Sequence, residues 1–409
     1  MRIDRVMLLG GLCTVCATAL GADGSDARAT ADQRSAANVR LLLPDVVYAV
    51  PGVEMNVYFD NVTLVLNPAN YAFDVTCNKG VQQAERWTYT PSDKDVGSHP
   101  FALEVRDQAN RVIARATSTV RVVRADAGAG SSASALLIGD SLTHASVYSR
   151  HLLDLCVGPK NSKLTLVGSH VPKPDQPENR HEGYGGWTAK RFATYYTGVA
   201  RTGSHKGCGS PFLYKDPQGK VGLDFGRYCK DVNSGRAPDF VTIFLGCNDT
   251  FAATDATIEE RIDDMVVHMD ALIGAIRGVA PKTHIGLLCP VPPAATQDAF
   301  GANYRCGQTR WQYKRNQHRV IERMTKRYGG RENDRIWLIP AFVNLDCLHN
   351  FPQQAARWNA HTSDATTRQN NGVHPAPTGY RQIGDTIYCW LKARLADGSG
   401  TTKTTMPGR

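Results

Sequence analysis

The sequence predicts an α/β protein in two parts: a flavodoxin-like three-layer α/β/α domain over residues 135–396, preceded by a small immunoglobulin-like β-sandwich over residues 36–124. Three observations carry this reading. Residues 40 to 124 alternate polar and apolar side chains with period two, with Pro, Gly, Asn and Asp between the runs, the pattern of short antiparallel strands. Beyond residue 134, apolar runs of strand length alternate with helical patterns, the signature of a parallel sheet covered on both faces. Between the two lies ADAGAGSSAS, residues 125–134, with the small, polar composition of a linker.

The elements follow in chain order. Met1 to Arg5 form a basic start, Val6 to Leu20 an apolar core, and Gly21 and Ala22 a small-residue end, so residues 1–22 read as a secretory signal peptide. NVYFDNVTLVL and VGSHPFALEVRDQANRVIARATSTVRVV supply sandwich strands, the second resembling the last hairpins of an immunoglobulin-like module. This module is read as a spacer or packing partner. The parallel strands are expected at Ala135 to Ile138, Leu164 to Gly168, Phe240 to Leu245, His284 to Pro290 and Ile336 to Pro340. Ile258, Ile262, Met265, Val266, Met269, Leu272, Ile273 and Ile276 recur at helical spacing and mark one amphipathic, core-packing helix. Residues 397–409 are polar and basic, and are expected to be a disordered tail.

Composition narrows the function classes. The formal charge is +9, but the basic residues are dispersed and no nucleic-acid-binding motif accompanies them, so no nucleic acid partner is expected. No segment after the signal is apolar enough to span a bilayer. The reading is therefore of an exported protein, periplasmic or extracellular. Eleven cysteines include Cys13 and Cys16 in the signal. Cys247, Cys289 and Cys389 lie in apolar runs and read as core residues, whereas Cys208 and Cys229 bracket a polar, glycine-rich segment and are the best candidates for a disulfide. No cysteine or histidine spacing suggests a metal site.

Chemistry enters at SALLIGDSLTHAS, residues 134–146. A buried strand stops at Gly139, and Asp140 and Ser141 open a helix-compatible segment, the place where open α/β sheets put their ligand sites. Ser141 is either a nucleophile or a helix cap. A serine hydroxyl needs a base, and of twelve histidines His374 stands on a constrained loop, NNGVHPAPTGY, directly before the last helix. A tetrahedral intermediate also needs donors aimed at its oxygen. HEGYGGWTAK offers the backbone N–H of Gly186, and IFLGCNDTF offers the Asn248 amide after a buried strand.

Together these pieces resemble the SGNH family, also called GDSL esterases and lipases, over about residues 134–395. Gly139-Asp140-Ser141-Leu142 matches the first block, Gly186 the second, Gly246-Cys247-Asn248-Asp249 the third and His374 the last. The resemblance implies that Ser141 attacks an ester carbonyl, that His374 serves as base and then acid, and that Gly186 and Asn248 join the Ser141 N–H in an oxyanion hole. No cofactor is implied. Asp140 and Asp249 are read as loop-stiffening residues behind the reacting groups.

One departure concerns the last block, usually Asp-x-x-His, which here reads Asn371-Gly372-Val373-His374. Asparagine can accept a hydrogen bond from the imidazole but supplies no charge to it. Three readings stand: a Ser–His dyad oriented by Asn371 or a backbone carbonyl, a triad completed by Asp364, or an inactive relative. Polar insertions bearing Tyr184, Trp187, Phe212 and Tyr214 suit a sugar-bearing ester better than a long acyl chain. The expected substrate is a small ester or an acylated glycan, with acetyl as the acyl group. A lipase, phospholipase or thioesterase of the same fold is the alternative, as is an inactive glycan-binding relative. Oligomeric state is not encoded in any of these patterns.

Overall fold

Residues 39–171, 174–198 and 207–399 are described in the computed structural model. The signal-peptide reading of residues 1–22 lies outside them, and so does the expected tail from residue 400 onward.

The central apolar runs become strands because they are buried on both faces, while the edge strand Lys163–Val167 is buried only toward its end. β8 (Ser132–Gly139), β9 (Lys163–Val167), β11 (Phe240–Phe244), β12 (His284–Leu288) and β13 (Ile336–Ile339) pair in parallel in the order β9-β8-β11-β12-β13. By position along the chain this is the doubly wound order 2-1-3-4-5. A two-residue strand, β10 (Glu182–Gly183), adds beside the end of β8, with Gly139 opposite Gly183. Ala135 and Leu137 face one core, and Leu136 and Ile138 face the other. Helices α2 (Val147–Leu155) and α9 (Pro377–Ser399) cover the first face, while α3 (Ala189–Thr194), α4 (Phe225–Asn233) and α6 (Ile258–Val279) cover the second. Each buried Leu, Ile, Val or Phe contributes about 1.5–3 kcal/mol on leaving water, so packing on both faces holds the sheet and the strand ends it carries. Helix α9 runs through Ser399, so residues 397–399 are helical where the sequence suggested a tail.

The N-terminal strands form two small sheets, beside a two-residue ladder between Arg40–Leu41 and Thr63–Leu64. One has the order β1 (Val46–Ala49), β7 (Val112–Val122), β6 (Gly97–Arg106), β3 (Ala72–Thr76); the other has β2 (Met55–Tyr58), β5 (Arg86–Tyr89), β4 (Val81–Gln82). Trp87 of the second sheet meets Phe101 of the first edge-on at 5.1 Å. Pairing is antiparallel, as the alternation suggested, except that β1 lies parallel to β7. Strand β8 begins at Ser132, inside the segment read as linker.

From Arg40 onward both sheet systems belong to one compact unit. Asn56 N–H donates to Asn344 Oδ1 at 2.9 Å, and Asn61 Nδ2 donates to the carbonyls of Phe342 and Leu345 at 2.8 and 2.7 Å. Arg310 and Lys314, on helix α8 (Arg310–Tyr328), both pair with Asp60. Buried polar groups that lose a partner cost about 1–3 kcal/mol each, so these bonds specify one seating of the N-terminal sheets.

Candidate active site

Strands β8 and β11 flank the point where the strand order reverses, and it is at the C-terminal ends of such strands that open α/β sheets place their ligands. Ser141 follows β8 and Asn248 follows β11. Asp140 ends the strand and caps the short helix α1 (Ser141–His144), its Oδ1 accepting the Leu142 N–H at 2.9 Å. Ser141 is thus the first helical residue, and its own N–H donates to no protein acceptor among the described residues. Capping falls to Asp140, which leaves the Ser141 hydroxyl for another partner. That partner is His374, whose Nε2 lies 2.8 Å from Ser141 Oγ although 233 positions separate them.

His374 is held by its loop. Gly372 N–H donates to Asn303 Oδ1 at 3.0 Å, Gly372 O accepts the Ala294 N–H at 3.1 Å, and Pro377 starts α9 three residues later. Asn371 Oδ1 accepts the backbone N–H groups of Val373 and His374, at 3.1 and 2.9 Å. Here the structure differs from the expectation: Asn371 closes an Asx turn and shapes the backbone, and no hydrogen bond reaches His374 Nδ1 among the described residues. Asp364 is no substitute. It sits exposed in the turn of a hairpin formed by β14 (Gln353–Arg357) and β15 (Ala365–Gln369), five ladder residues, or about 17 Å of strand, beyond the loop. Burial pushes the His374 pKa down from its ordinary value.

Asn248 begins the turn after β11, where Gly246 has φ +117°, a conformation that disfavours any side chain. The Asn248 amide donates to Asp140 Oδ2 at 3.0 Å and to the Trp187 carbonyl at 3.2 Å. These bonds bring together the first, second and third sequence blocks. Gly186, one residue before Trp187, is exposed with φ +74°, and its N–H donates to no protein acceptor among the described residues. Asp249 ties two loops, accepting the N–H of Ala189 through Oδ1 at 3.0 Å and that of Gly246 through Oδ2 at 3.1 Å. Burial raises the pKa of Asp140 to about 7 and that of Asp249 to about 6. The Cys247 thiol, buried against Asp140, is pushed well above its usual range by the same desolvation.

Residues that no sequence signal marked complete the surroundings. Glu182, fully buried in β10, accepts from Ser169 N–H (2.6 Å) and Tyr228 OH (2.8 Å) through Oε1, and from Ser169 Oγ (3.0 Å) and Tyr184 OH (2.7 Å) through Oε2. It pegs the loop that carries Gly186 to both the segment that follows β9 and helix α4. His181 Nδ1 accepts the Gly183 N–H at 2.9 Å, so the ring is neutral and its Nε2–H donates to Ser146 Oγ at 2.8 Å. His144, one turn after Ser141, turns aside to stack on His170 at 5.1 Å. Glu182 and His181 stand inside the quoted HEGYGG, but a charged residue in a glycine-rich loop looks solvated until its burial is known.

Three expectations need correction. Tyr184, Trp187 and Phe212 are core residues, not stacking platforms: Tyr184 stacks on Trp187 at 4.3 Å and both pack against Phe192. Tyr214 is half-buried beneath the Arg227 guanidinium. Cys208 and Cys229 are not joined in a disulfide: both are buried in the same apolar cluster, where they pack as small side chains. Cys247, Cys289 and Cys389 are buried as the apolar runs suggested. Among the described residues, no three or more His, Cys, Asp or Glu side chains converge as metal ligands, and no helix is long and apolar enough to cross a membrane.

Comparison with known proteins adds a family match: the model of the GDSL-like lipase/acylhydrolase family matches residues 137–382. No curated protein sequence matches the chain. Among solved structures, a family 3 carbohydrate esterase from Clostridium thermocellum is 15% identical with a TM-score of 0.36, the alignment covering 66% of this chain and 100% of that one. A family 3 carbohydrate esterase from Talaromyces cellulolyticus is 15% identical with a TM-score of 0.37, covering 65% and 99%. A lipase/acylhydrolase from Enterococcus faecalis is 14% identical with a TM-score of 0.32, covering 64% and 96%.

Proposed function

Because the chain belongs to the GDSL-like lipase/acylhydrolase family, we propose that it is an exported serine esterase that removes short acyl groups, acetyl foremost, from a carbohydrate. The contact of Ser141 Oγ with His374 Nε2 at 2.8 Å carries the reading. In the reaction, Nε2 takes the hydroxyl proton as Oγ attacks the ester carbonyl, and the N–H groups of Ser141 and Gly186 and the Asn248 amide receive the resulting oxyanion. His374 returns the proton to the leaving alcohol. Water then repeats the sequence on the acyl-serine. Export rests on the signal-like start, and we read the two N-terminal sheets as an immunoglobulin-like sandwich, residues 36–124, that braces the hydrolase domain, residues 135–396.

Short acyl chains are supported by the surface. A lipid-binding groove needs a broad apolar area, whereas the exposed large apolar side chains among the described residues are scattered along the sequence, from Leu66 to Trp358. The test is hydrolysis of p-nitrophenyl esters of increasing length. Acetate is expected to turn over fastest, with the rate falling as the chain lengthens. A preference for long chains would move the protein to the lipases of this fold, and no turnover of any ester would favour the inactive glycan-binding relative.

The histidine loop yields a gain-of-function prediction. His374 accepts the serine proton on Nε2, so Nδ1 carries the other proton, and no carboxylate among the described residues bonds the ring to stabilise the imidazolium that forms. In Asn371→Asp, one oxygen can keep the Val373 and His374 N–H groups while the carboxylate adds a negative charge to the loop that carries the ring. We expect kcat to rise about 10-fold or more, a fraction of the roughly 10⁴ by which an aspartate and an asparagine differ in a serine protease triad. The sign of the pH effect follows. Catalysis needs neutral His374, whose pKa burial holds down; the added carboxylate favours the protonated ring, so the acid limb of kcat/KM moves to higher pH. A pH profile unchanged by the substitution would show that residue 371 does not reach the ring.

A further inference from the structure

The hairpin β14–β15 leaves the fold at Pro352 and returns one residue before Asn371, so its base adjoins the loop that carries His374. It contributes little to the core. Of its ten ladder residues only Gln369 is buried, with Ala356 and Arg368 half-buried. An isolated two-stranded ladder is marginal in water, and this one is secured by polar bonds at its base. Gln369 Nε2 donates to the carbonyls of Cys347 and Leu348 at 2.8 Å each, its Oε1 accepts the Thr296 N–H at 3.0 Å, and Arg368 pairs with Asp298 at 3.0 Å. The far end is ordered too: Trp358 N–H donates to Asp364 O at 3.1 Å, Asn359 Oδ1 accepts the His361 N–H at 2.8 Å, and Thr362 Oγ1 accepts the Asp364 N–H at 3.0 Å.

This built turn presents Trp358, whose side chain leaves the residue 61% exposed, while the other five tryptophans are buried or half-buried. A bare indole at the tip of a polar arm is a hydrophobic face without an apolar surround. It matches a ligand with a flat apolar face and a hydroxylated edge, which is the chemistry of a sugar ring. The polar side chains along the arm agree: Asn359, Thr366 and Thr367 toward the tip and Gln353 and Gln354 at the base are neutral donors and acceptors. Of the two arginines of the hairpin, Arg368 pairs with Asp298, and the turn itself carries one acid, Asp364, against Arg357 in formal charge. No strong field therefore selects an acidic polymer, and a single indole is too small a patch for a protein or lipid surface.

We propose that the hairpin is a substrate-holding arm that stacks a neutral glycan chain on Trp358, several sugar units from the ester cleaved at Ser141. The inference rests on the carbohydrate-ester reading and specifies a polymer as its substrate. The test separates the two. Retention of the full-length Ser141→Ala protein is measured in affinity gels containing xylan, glucomannan or mixed-linkage β-glucan, with pectin, alginate and anionic phospholipid vesicles in parallel. At least one neutral polymer is expected to retard it, and Trp358→Ala to weaken that retention about tenfold, with Trp358→Phe partly restoring it. In the Ser141 background, Trp358→Ala should change kcat/KM for p-nitrophenyl acetate by less than about twofold, since the arm does not touch the reacting atoms. The proposal is overturned if no neutral polymer retards the protein, if retention ignores Trp358, if only acidic polymers or vesicles bind, or if Trp358→Ala also abolishes aryl acetate turnover. A wild-type protein inert to every ester but retained through Trp358 would keep the arm and remove the esterase.

Discussion

Replacing Ser141 by alanine is expected to lower kcat by about 10⁴- to 10⁶-fold while leaving the fold unchanged, and replacing His374 by alanine to do the same. The two residues act as one unit, since the histidine has no proton to take without the serine and the serine no acceptor without the histidine. Their losses should therefore not add: the double variant should be about as slow as either single one. Folding is spared because neither side chain supports the core. Ser141 does not cap its helix, a task done by Asp140, and the His374 loop is anchored through Asn371, Gly372 and Pro377. The check is burst and steady-state hydrolysis of p-nitrophenyl acetate, alongside thermal melts. Retention of more than about one per cent of activity in Ser141→Ala would place the nucleophile elsewhere.

Asn248→Ala carries the second largest expected loss, about 10²- to 10³-fold in kcat with little change in KM, the size expected for one oxyanion donor. The geometry makes this a sharper test than a simple deletion. One amide proton can stay on Asp140 Oδ2 while the other turns from the Trp187 carbonyl, 3.2 Å away, toward a developing oxyanion. On this reading Asp140 preorganises the donor, and burial raises its carboxyl to about 7. A rate unaffected by Asn248→Ala would reduce the hole to the backbone donors of Ser141 and Gly186. A loss appearing mainly in KM would instead assign Asn248 to ground-state binding.

The N-terminal sheets enter these arguments through packing. Asn61 holds the carbonyls of Phe342 and Leu345, and the chain from there runs through Cys347, whose carbonyl meets both Ala295 N–H and the Gln369 amide. The histidine loop, resting on Ala294, is therefore continuous by hydrogen bonds with the surface that the N-terminal sheets cover. An aromatic row would mark that module as a glycan binder, but its Trp87 and Phe101 are spent on joining its two sheets.

The legible part of this protein was what short-range physics encodes. A parallel strand buried on both faces must be a continuous apolar run, so Phe240–Phe244 and its companions stood out, and a tight strand-end turn needs glycine, so Gly246 did too. The order of Ser141, Asn248 and His374 along those strand ends was likewise present in the sequence. Tertiary structure alone decided the rest. Whether Asn371 faces the imidazole or its own backbone, whether Asp364 meets His374 or closes a distant turn, and whether Cys208 and Cys229 join or pack depends on groups brought together across the fold. So does the burial of Glu182 among Ser169, Tyr184 and Tyr228. Propensity and periodicity act over a few residues, whereas the energy of a buried polar group depends on all its neighbours, and these neighbours come from parts of the chain that only folding makes adjacent.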